Sequence, residues 1–196
     1  LSQVVQETSR VGRIVSDLLS FSRRSKPQRA EADLNRIVKT TLSLTSHKLK
    51  LGNVTVNTDL ADDLPAVRCD SSQIQQVVLN LVLNGAEATH SRGERRLTVR
   101  TRRAHNGVAV TLSVEDNGEG VRAENLSRIF DPFFTTKPEG KGVGLGLAVS
   151  YGIVEAHGGD IAVTSKPGEG ATFTVTLPVS GNAEEPALAA AGAERA

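Results

Sequence analysis

The amino-acid sequence predicts an α/β (α+β) domain preceded by a long helix, and three observations carry that expectation. Helical periods and strand alternations of period two follow one another through residues 33–178. One helix near the middle is apolar over most of its length, as a central core helix must be. A glycine- and proline-rich loop at residues 116 to 146 interrupts the alternation, and a loop that long inside a compact domain is usually functional. The chain has 196 residues, 38% hydrophobic and 23% charged, enough for one ordinary core plus an appendage. Its one cysteine, Cys69, excludes an internal disulfide, and no apolar run approaches the roughly 18 residues of a membrane span. With 23 basic against 22 acidic residues, the chain lacks the positive excess of a nucleic-acid binder, so no nucleic acid is expected as a partner. It contains no Met and opens with no secretory leader, and is expected to be a piece of a longer protein.

Val4, Val11, Ile14, Leu18 and Phe21 form a narrow helical seam that needs a partner helix, with Arg10, Arg13, Asp17, Arg23 and Arg24 outside it. Pro27 ends that pattern, and residues 26–32 read as a linker. A helix follows over residues 34 to 49, capped by Asp33, with Leu34, Ile37, Val38, Thr41, Leu42 and Leu44 on one side. Residues 53 to 59 alternate as a half-buried strand, and residues 66 to 69 form a short second one in which Cys69 is a small buried residue. Asp70 and Gln73 have capping-box spacing ahead of the central helix, which runs through Ile74, Val77, Val78, Leu81 and Val82 to about Thr89. Two strands come next, with Leu97, Val99 and Thr101 on the first and Val108, Val110, Leu112 and Val114 on the second, joined by a turn at residues 105–107. Most of the six arginines between Arg92 and Arg103 fall on the outward period and read as a solvated face. After the long loop, Leu147, Val149, Ile153 and Val154 mark a helix stopped by Gly158 and Gly159, with His157 as a capping residue whose partial charge suits the helix dipole. Strands at 161–165 and 172–177 finish the domain, and residues 179–196 read as a solvated tail.

Four segments carry chemistry. Asn80, Asn84 and Glu87 fall at i, i+4 and i+7 on the central helix, a polar stripe that needs partners where it is buried. An Asn side-chain oxygen can ligate a hard cation such as magnesium, which takes its remaining ligands from water and substrate phosphates. Asp116-Asn117-Gly118-Glu119-Gly120 follows a strand directly, and a carboxylate there can accept from an exocyclic amine, although Asp-Asn-Gly is also ordinary turn chemistry. Residues 129 to 137 concentrate Phe130, Phe133 and Phe134 ahead of Lys137, which points to a lid. Gly140 to Leu147 opens a helix with bare backbone N–H groups, an electrostatic fit for a phosphate chain, with Lys137 and Lys141 to supply full charges. It lacks the Gly-Lys-Ser/Thr of a Walker loop and does not fit a dinucleotide fingerprint.

In this order the segments resemble the ATP-binding domain of sensor histidine kinases, within the superfamily of gyrase, Hsp90 and MutL. The resemblance covers residues 33–178, with an N box at 80–88, glycine boxes at 116–120, 142–146 and 168–170, and an F box at 130–134. It implies a two-layer sandwich of a mixed β-sheet and helices (a Bergerat-type fold) holding ATP and Mg2+ between helices and lid. By position it implies Asn84 as magnesium ligand with Asn80 beside it, Asp116 on the adenine amine, and Gly118 and Gly120 shaping the adenine pocket. It further implies that Gly142, Val143, Gly144, Leu145 and Gly146 line the phosphates together with Lys137 and Lys141, and that Thr172 lies near the adenine. Asn80 and Lys137 are the residues expected to act on the transferring phosphate. The run Phe133-Phe134-Thr135-Thr136-Lys137 looks most like the nitrogen-regulatory type.

Residues 13–23 resemble the second helix of the dimerisation and phosphoacceptor hairpin, so residues 1–25 are expected to form part of that hairpin. None of His47, His90, His105 or His157 is followed by the acidic residue of a phosphoacceptor. The expected partners are therefore ATP, a histidine-bearing hairpin helix of the same protein, a response-regulator receiver domain and a second copy in a homodimer, all in the cytoplasm. At the Asn80 position the hydrolysing relatives carry a glutamate base. An amide cannot take a proton, so rapid intrinsic hydrolysis is disfavoured. The alternatives are a non-catalytic, nucleotide-responsive interaction module and a serine kinase related to mitochondrial dehydrogenase kinases or anti-sigma factors.

Overall fold

Strand alternation gives the chain a five-stranded sheet with one apolar face, and helices cover that face. The computed structural model describes residues 28–104, 107–137 and 142–179. The strands are β1 (Ala30–Ala32), β2 (Val54–Leu60), β3 (Val67–Cys69), β4 (Arg95–Arg103), β5 (Ala109–Asp116), β6 (Asp160–Lys166) and β7 (Gly170–Pro178). Between them lie helices α1 (Leu34–Leu51), α2 (Ser71–Ala88), α3 (Ala123–Leu126) and α4 (Gly146–Ala156). The main sheet runs β2-β4-β5-β7-β6, with β2 parallel to β4 and every other pair antiparallel. The two-layer, mixed-sheet α/β (α+β) architecture is the one expected.

Period two sets the core. Leu97 and Val99 of β4, Val110, Leu112 and Val114 of β5, and Phe173, Val175 and Leu177 of β7 are all buried on the same face. Against them α2 places Ile74, Val77, Val78, Leu81 and Val82, each 1% exposed or less. Burying a side chain of this size stabilises by about 1.5–3 kcal/mol, so packing more than propensity holds α2. A buried polar link fastens α1 to β4: the Thr101 hydroxyl donates to Asn35 Oδ1 at 2.7 Å, and Asn35 Nδ2 donates to Ala61 O at 2.7 Å.

Several expectations shift. Residues 30–32, read as the end of a linker, pair antiparallel with β3 and form a small sheet beside the main one. Helix α1 runs two residues further than its pattern, and its buried row passes through Thr41, Thr45 and Leu49. Leu44, expected inward, is 70% exposed because a helix returns to the same face nearer four residues on than three. Val179, assigned to the tail, is buried and bridges to Val67. Cys69 is buried as expected, and burial pushes its thiol up to about 11, which leaves it inert at neutral pH. The opening seam, residues 105–106, Lys141 and residues 180–196 lie outside the described residues.

Both predicted N-caps form. Asp33 accepts from Arg36 N, and Asp70 accepts from Ser72 N at 3.0 Å and Gln73 N at 3.3 Å. A full capping box would satisfy the Asp70 N–H with the Gln73 side chain, but that N–H donates to His157 Nε2 at 3.0 Å instead. His157 Nδ1 lies 2.7 Å from Ile153 O, so Nδ1 carries the proton and the ring is neutral. Burial holds its pKa below the ordinary imidazole value. His157 is thus structural, as expected, but it ties two helices together as a neutral ring and brings no charge to the dipole.

Candidate nucleotide site

The site lies where the C-terminal half of α2 meets the N-terminus of α4 and the end of β5. Asn80 Nδ2 donates to Gly146 O at 3.1 Å and to Ser150 Oγ at 3.3 Å, while Ser150 Oγ donates to Gly146 O at 2.9 Å. Ser150 is fully buried, so this hydroxyl fixes which end of the Asn80 amide faces α4 and leaves Oδ1 for the open side.

Asp116 ends β5 with its side chain on the helix-covered face, 5% exposed. Burial raises its pKa, opposed by the backbone N–H groups of Gly118, at 2.8 Å, and Ala171. A carboxylate held this way keeps acceptor capacity for one more donor. Close packing dictates the glycine that follows: a Cβ on Gly118 would lie 2.5 Å from Ala88 O. Arg92 reaches over this turn, donating to Gly118 O at 2.8 Å and to Gly168 O, and so binds the first and third glycine boxes together. Arg95 lies on the inward period of β4 and donates to Gly52 O, Ala86 O and Thr89 Oγ1. Arg96, Arg100 and Arg102 are the outward arginines the alternation predicts, and Arg100 and Arg102 pair with Glu115 and Asp59.

The three phenylalanines expected in a lid do different work. Phe130 packs on Tyr151 with ring centroids 5.6 Å apart, and the Arg128 guanidinium lies 4.8 Å above the Phe134 ring. These two anchor the loop. Phe133 is 65% exposed with φ of 66°, and its N–H donates to Gly144 O at 2.9 Å. Gly144 itself has φ of 72°, and a Cβ there would lie 2.5 Å from the Phe133 carbonyl carbon. The F box and the second glycine box are therefore interlocked through backbone, at a place where only glycine fits.

Helix α4 begins at Gly146 after Leu145, which supplies no side-chain cap, so its first N–H groups remain available to an anion. Leu145 is itself buried, which leaves only its backbone for a phosphate, and Gly142 and Val143 lead into the same turn. Lys137 Nζ lies 2.5 Å from Glu87 Oε2 and 3.5 Å from Asn84 Oδ1, bringing the lid lysine onto the polar stripe. Asn84 and Glu87 supply hard oxygen donors from one helix face, and no group of three or more His, Cys, Asp or Glu gathers among the described residues. That donor set fits a cation like Mg2+, which keeps waters and binds substrate phosphates, and does not fit a metal held in an all-protein cage.

Thr172 is misplaced by the sequence reading. It pairs with Glu115, whereas Ala171 pairs with Asp116, so the Thr172 side chain points to the uncovered face of the sheet. Sequence reasoning also missed Ser150, Arg92 and Ala171. Ser150 lies one helical turn from Gly146, which was the available signal, but nothing local distinguishes it from a surface serine.

Residues 69–181 match the family of histidine kinase-, DNA gyrase B-, and HSP90-like ATPases. Sensor histidine kinase ZraS of Escherichia coli strain K12 is 38% identical over 187 residues, covering 95% of this chain and 39% of ZraS. The chain thus spans about two fifths of the length of that relative. Full-length ShkA in complex with AMPPNP superposes with a TM-score of 0.74 at 27% identity, over 85% of this chain and 35% of ShkA. Histidine kinase ThkA in complex with response regulator protein TrrA gives a TM-score of 0.71 at 30% identity, over 89% of this chain and 49% of ThkA. The mixed sheet with its helices agrees with these likenesses, and the chain belongs to the histidine kinase-, DNA gyrase B- and HSP90-like ATPase family, as a histidine kinase catalytic domain.

Proposed function

We propose that this chain binds Mg-ATP between α2, α4 and the loop joining β5 to α4, and donates the γ-phosphate to a histidine on the dimerisation hairpin of its parent protein, for relay to a response regulator. The observation that carries the reading is the buried Asp116 carboxylate, held by the Gly118 N–H at the end of β5 and facing the same side of the sheet as the amide stripe of α2. ShkA, with AMPPNP in its structure, and ThkA, in complex with a response regulator, support the two ends of that pathway.

Asp116 accepts from the adenine amine, and Gly118 and Gly120 give the base a close backbone wall. The N–H groups between Gly142 and Gly146, with Lys137 and Lys141, take the phosphates. Asn84 holds the metal, which neutralises charge on the transferring phosphoryl group when bound. Asn80, fixed by Ser150 and Gly146, offers an amide and no base, so water is poorly activated and the phosphoryl group is kept for a histidine. None of the chain's histidines precedes an acidic residue, so the acceptor comes from a hairpin helix elsewhere in the parent. The parent protein works as a homodimer, and the domain works in the cytoplasm, where ATP and receiver domains are found. The Phe-Phe-Thr-Thr-Lys run supports a parent of the nitrogen-regulatory-like type.

Calorimetric titration of ATP with magnesium tests the first step, and transfer of labelled γ-phosphate to a separately supplied hairpin tests the second. Binding by the chain that is lost in Asp116→Ala, followed by label on the hairpin histidine, is expected. An absence of binding refutes the reading, and binding without transfer reduces the chain to an interaction module.

A further inference from the structure

The contact between Lys137 and the polar stripe does more than close a loop. Asn84 and Glu87 lie three residues apart on α2, so their side chains are neighbours on one face. Between their oxygens lies a cation, the Lys137 ammonium, 2.5 Å from Glu87 Oε2 and 3.5 Å from Asn84 Oδ1. The Lys137 stem runs against the phosphate turn: a Cβ on Gly142 would lie 3.2 Å from Lys137 Cδ. A rotation of the side chain alone therefore carries the ammonium from the stripe toward the turn. The pair is exposed enough, 36% for the lysine and 47% for the glutamate, that it is worth at most about 1 kcal/mol, so giving it up is cheap.

We propose that Asn84 and Glu87 together form a two-ligand seat for the divalent cation that enters with the nucleotide, and that Lys137 is the resting occupant of that seat. A dication and an ammonium repel each other at the same oxygens, so Lys137 yields the seat as it is loaded and turns to the phosphates. Glu87 then has two uses. It stores the lid lysine beside its point of action, and it makes tight nucleotide binding conditional on the metal, because an uncompensated carboxylate next to a triphosphate is repulsive. This rests on the nucleotide reading of the site.

Two measurements on the 196-residue chain test it, each after thermal melting shows that the variants fold. The first is ATP affinity, read by competition with a fluorescent nucleotide in excess EDTA and in saturating magnesium. In Glu87→Gln the gain in affinity on adding magnesium falls by about tenfold, while affinity in EDTA stays equal or rises. An undiminished magnesium gain, or equal weakening in both conditions, overturns the proposal. The second needs no nucleotide: free Mn2+ is followed by electron paramagnetic resonance. Lys137→Gln binds Mn2+ more tightly than the parent chain, and adding Glu87→Gln abolishes that gain. Lys137→Gln binding no more tightly than the parent overturns the proposal. Should the parent bind no ATP in either condition, the nucleotide reading fails, and the Mn2+ measurement still decides the seat.

Discussion

Asp116→Asn separates recognition from folding at one atom pair. The Asn side chain keeps an oxygen for the Gly118 N–H, now 2.8 Å from Asp116, but it turns an NH2 toward the adenine amine where the carboxylate offered an acceptor. A hydrogen bond to a charged group contributes about 1.5–3 kcal/mol, so ATP affinity falls by roughly 10- to 150-fold. Selectivity shifts with it, because a donor at this place suits the O6 acceptor of guanine, and the preference for ATP over GTP narrows. Stability moves little. The amide escapes the burial that raises the Asp116 pKa but loses part of the backbone hydrogen bonding that opposes that rise, two effects of opposite sign. The melting midpoint at neutral pH stays within about 3 °C of the parent, or rises. The sign with pH is fixed: a raised folded pKa means the native state binds its proton first, so the parent gains on the variant as pH falls toward the ordinary carboxylate value. Calorimetry with ATP and GTP, and melts over a pH series, read all of this. Parent-like ATP affinity in Asp116→Asn refutes the adenine contact, and a midpoint lowered by ten degrees or more refutes the claim that the carboxylate serves binding above folding.

The remaining predictions concern the frame. Gly144→Ala places a Cβ against the Phe133 carbonyl at φ of 72° and lowers ATP affinity by about tenfold or more, whereas Gly152→Ala, with nothing within 4 Å, leaves affinity unchanged and stabilises α4 by about 0.5–1 kcal/mol in denaturant melts. Because burial lowers the His157 pKa, the unfolded chain takes up that proton first, and stability falls as pH drops through about 6.5; His157→Gln is less stable at neutral pH but loses this part of the slope in the same melts. Arg95→Ala removes three hydrogen bonds that join the start of β4 to Gly52, Ala86 and Thr89, and lowers stability by about 2 kcal/mol, seen as a melting midpoint down by roughly 4–8 °C.

What the sequence makes legible is whatever depends on local period or on a backbone requirement. The alternation of Val110, Leu112 and Val114 placed β5 and its buried face, and with it the side to which Asp116 turns. The caps Asp33 and Asp70 announced two helices, and Gly118 and Gly144 occupy places no other residue fits. What stayed hidden depends on distant partners. Residues 30–32 carry no strand pattern and become a strand only because Val67 to Cys69 offers an edge. Thr172 was set near the adenine by resemblance alone, although the alternation of Phe173, Val175 and Leu177 turns it to the other face, where it pairs with Glu115. Ser150 and Lys137 acquire their roles from Asn80 and Glu87, 70 and 50 residues away along the chain.

The hydrogen bond from Asp70 to His157 joins the N-cap of α2 to the C-cap of α4. The two helices run in opposite directions, and Asn80 binds Gly146 and Ser150 near the other end of α4, so the pair is tied like a ladder with two rungs. Helix α4 is 11 residues long, so about 16 Å separates the two ties. Two ties fix register as well as spacing, so the N–H groups that open α4 stand at a set place against the amide stripe of α2.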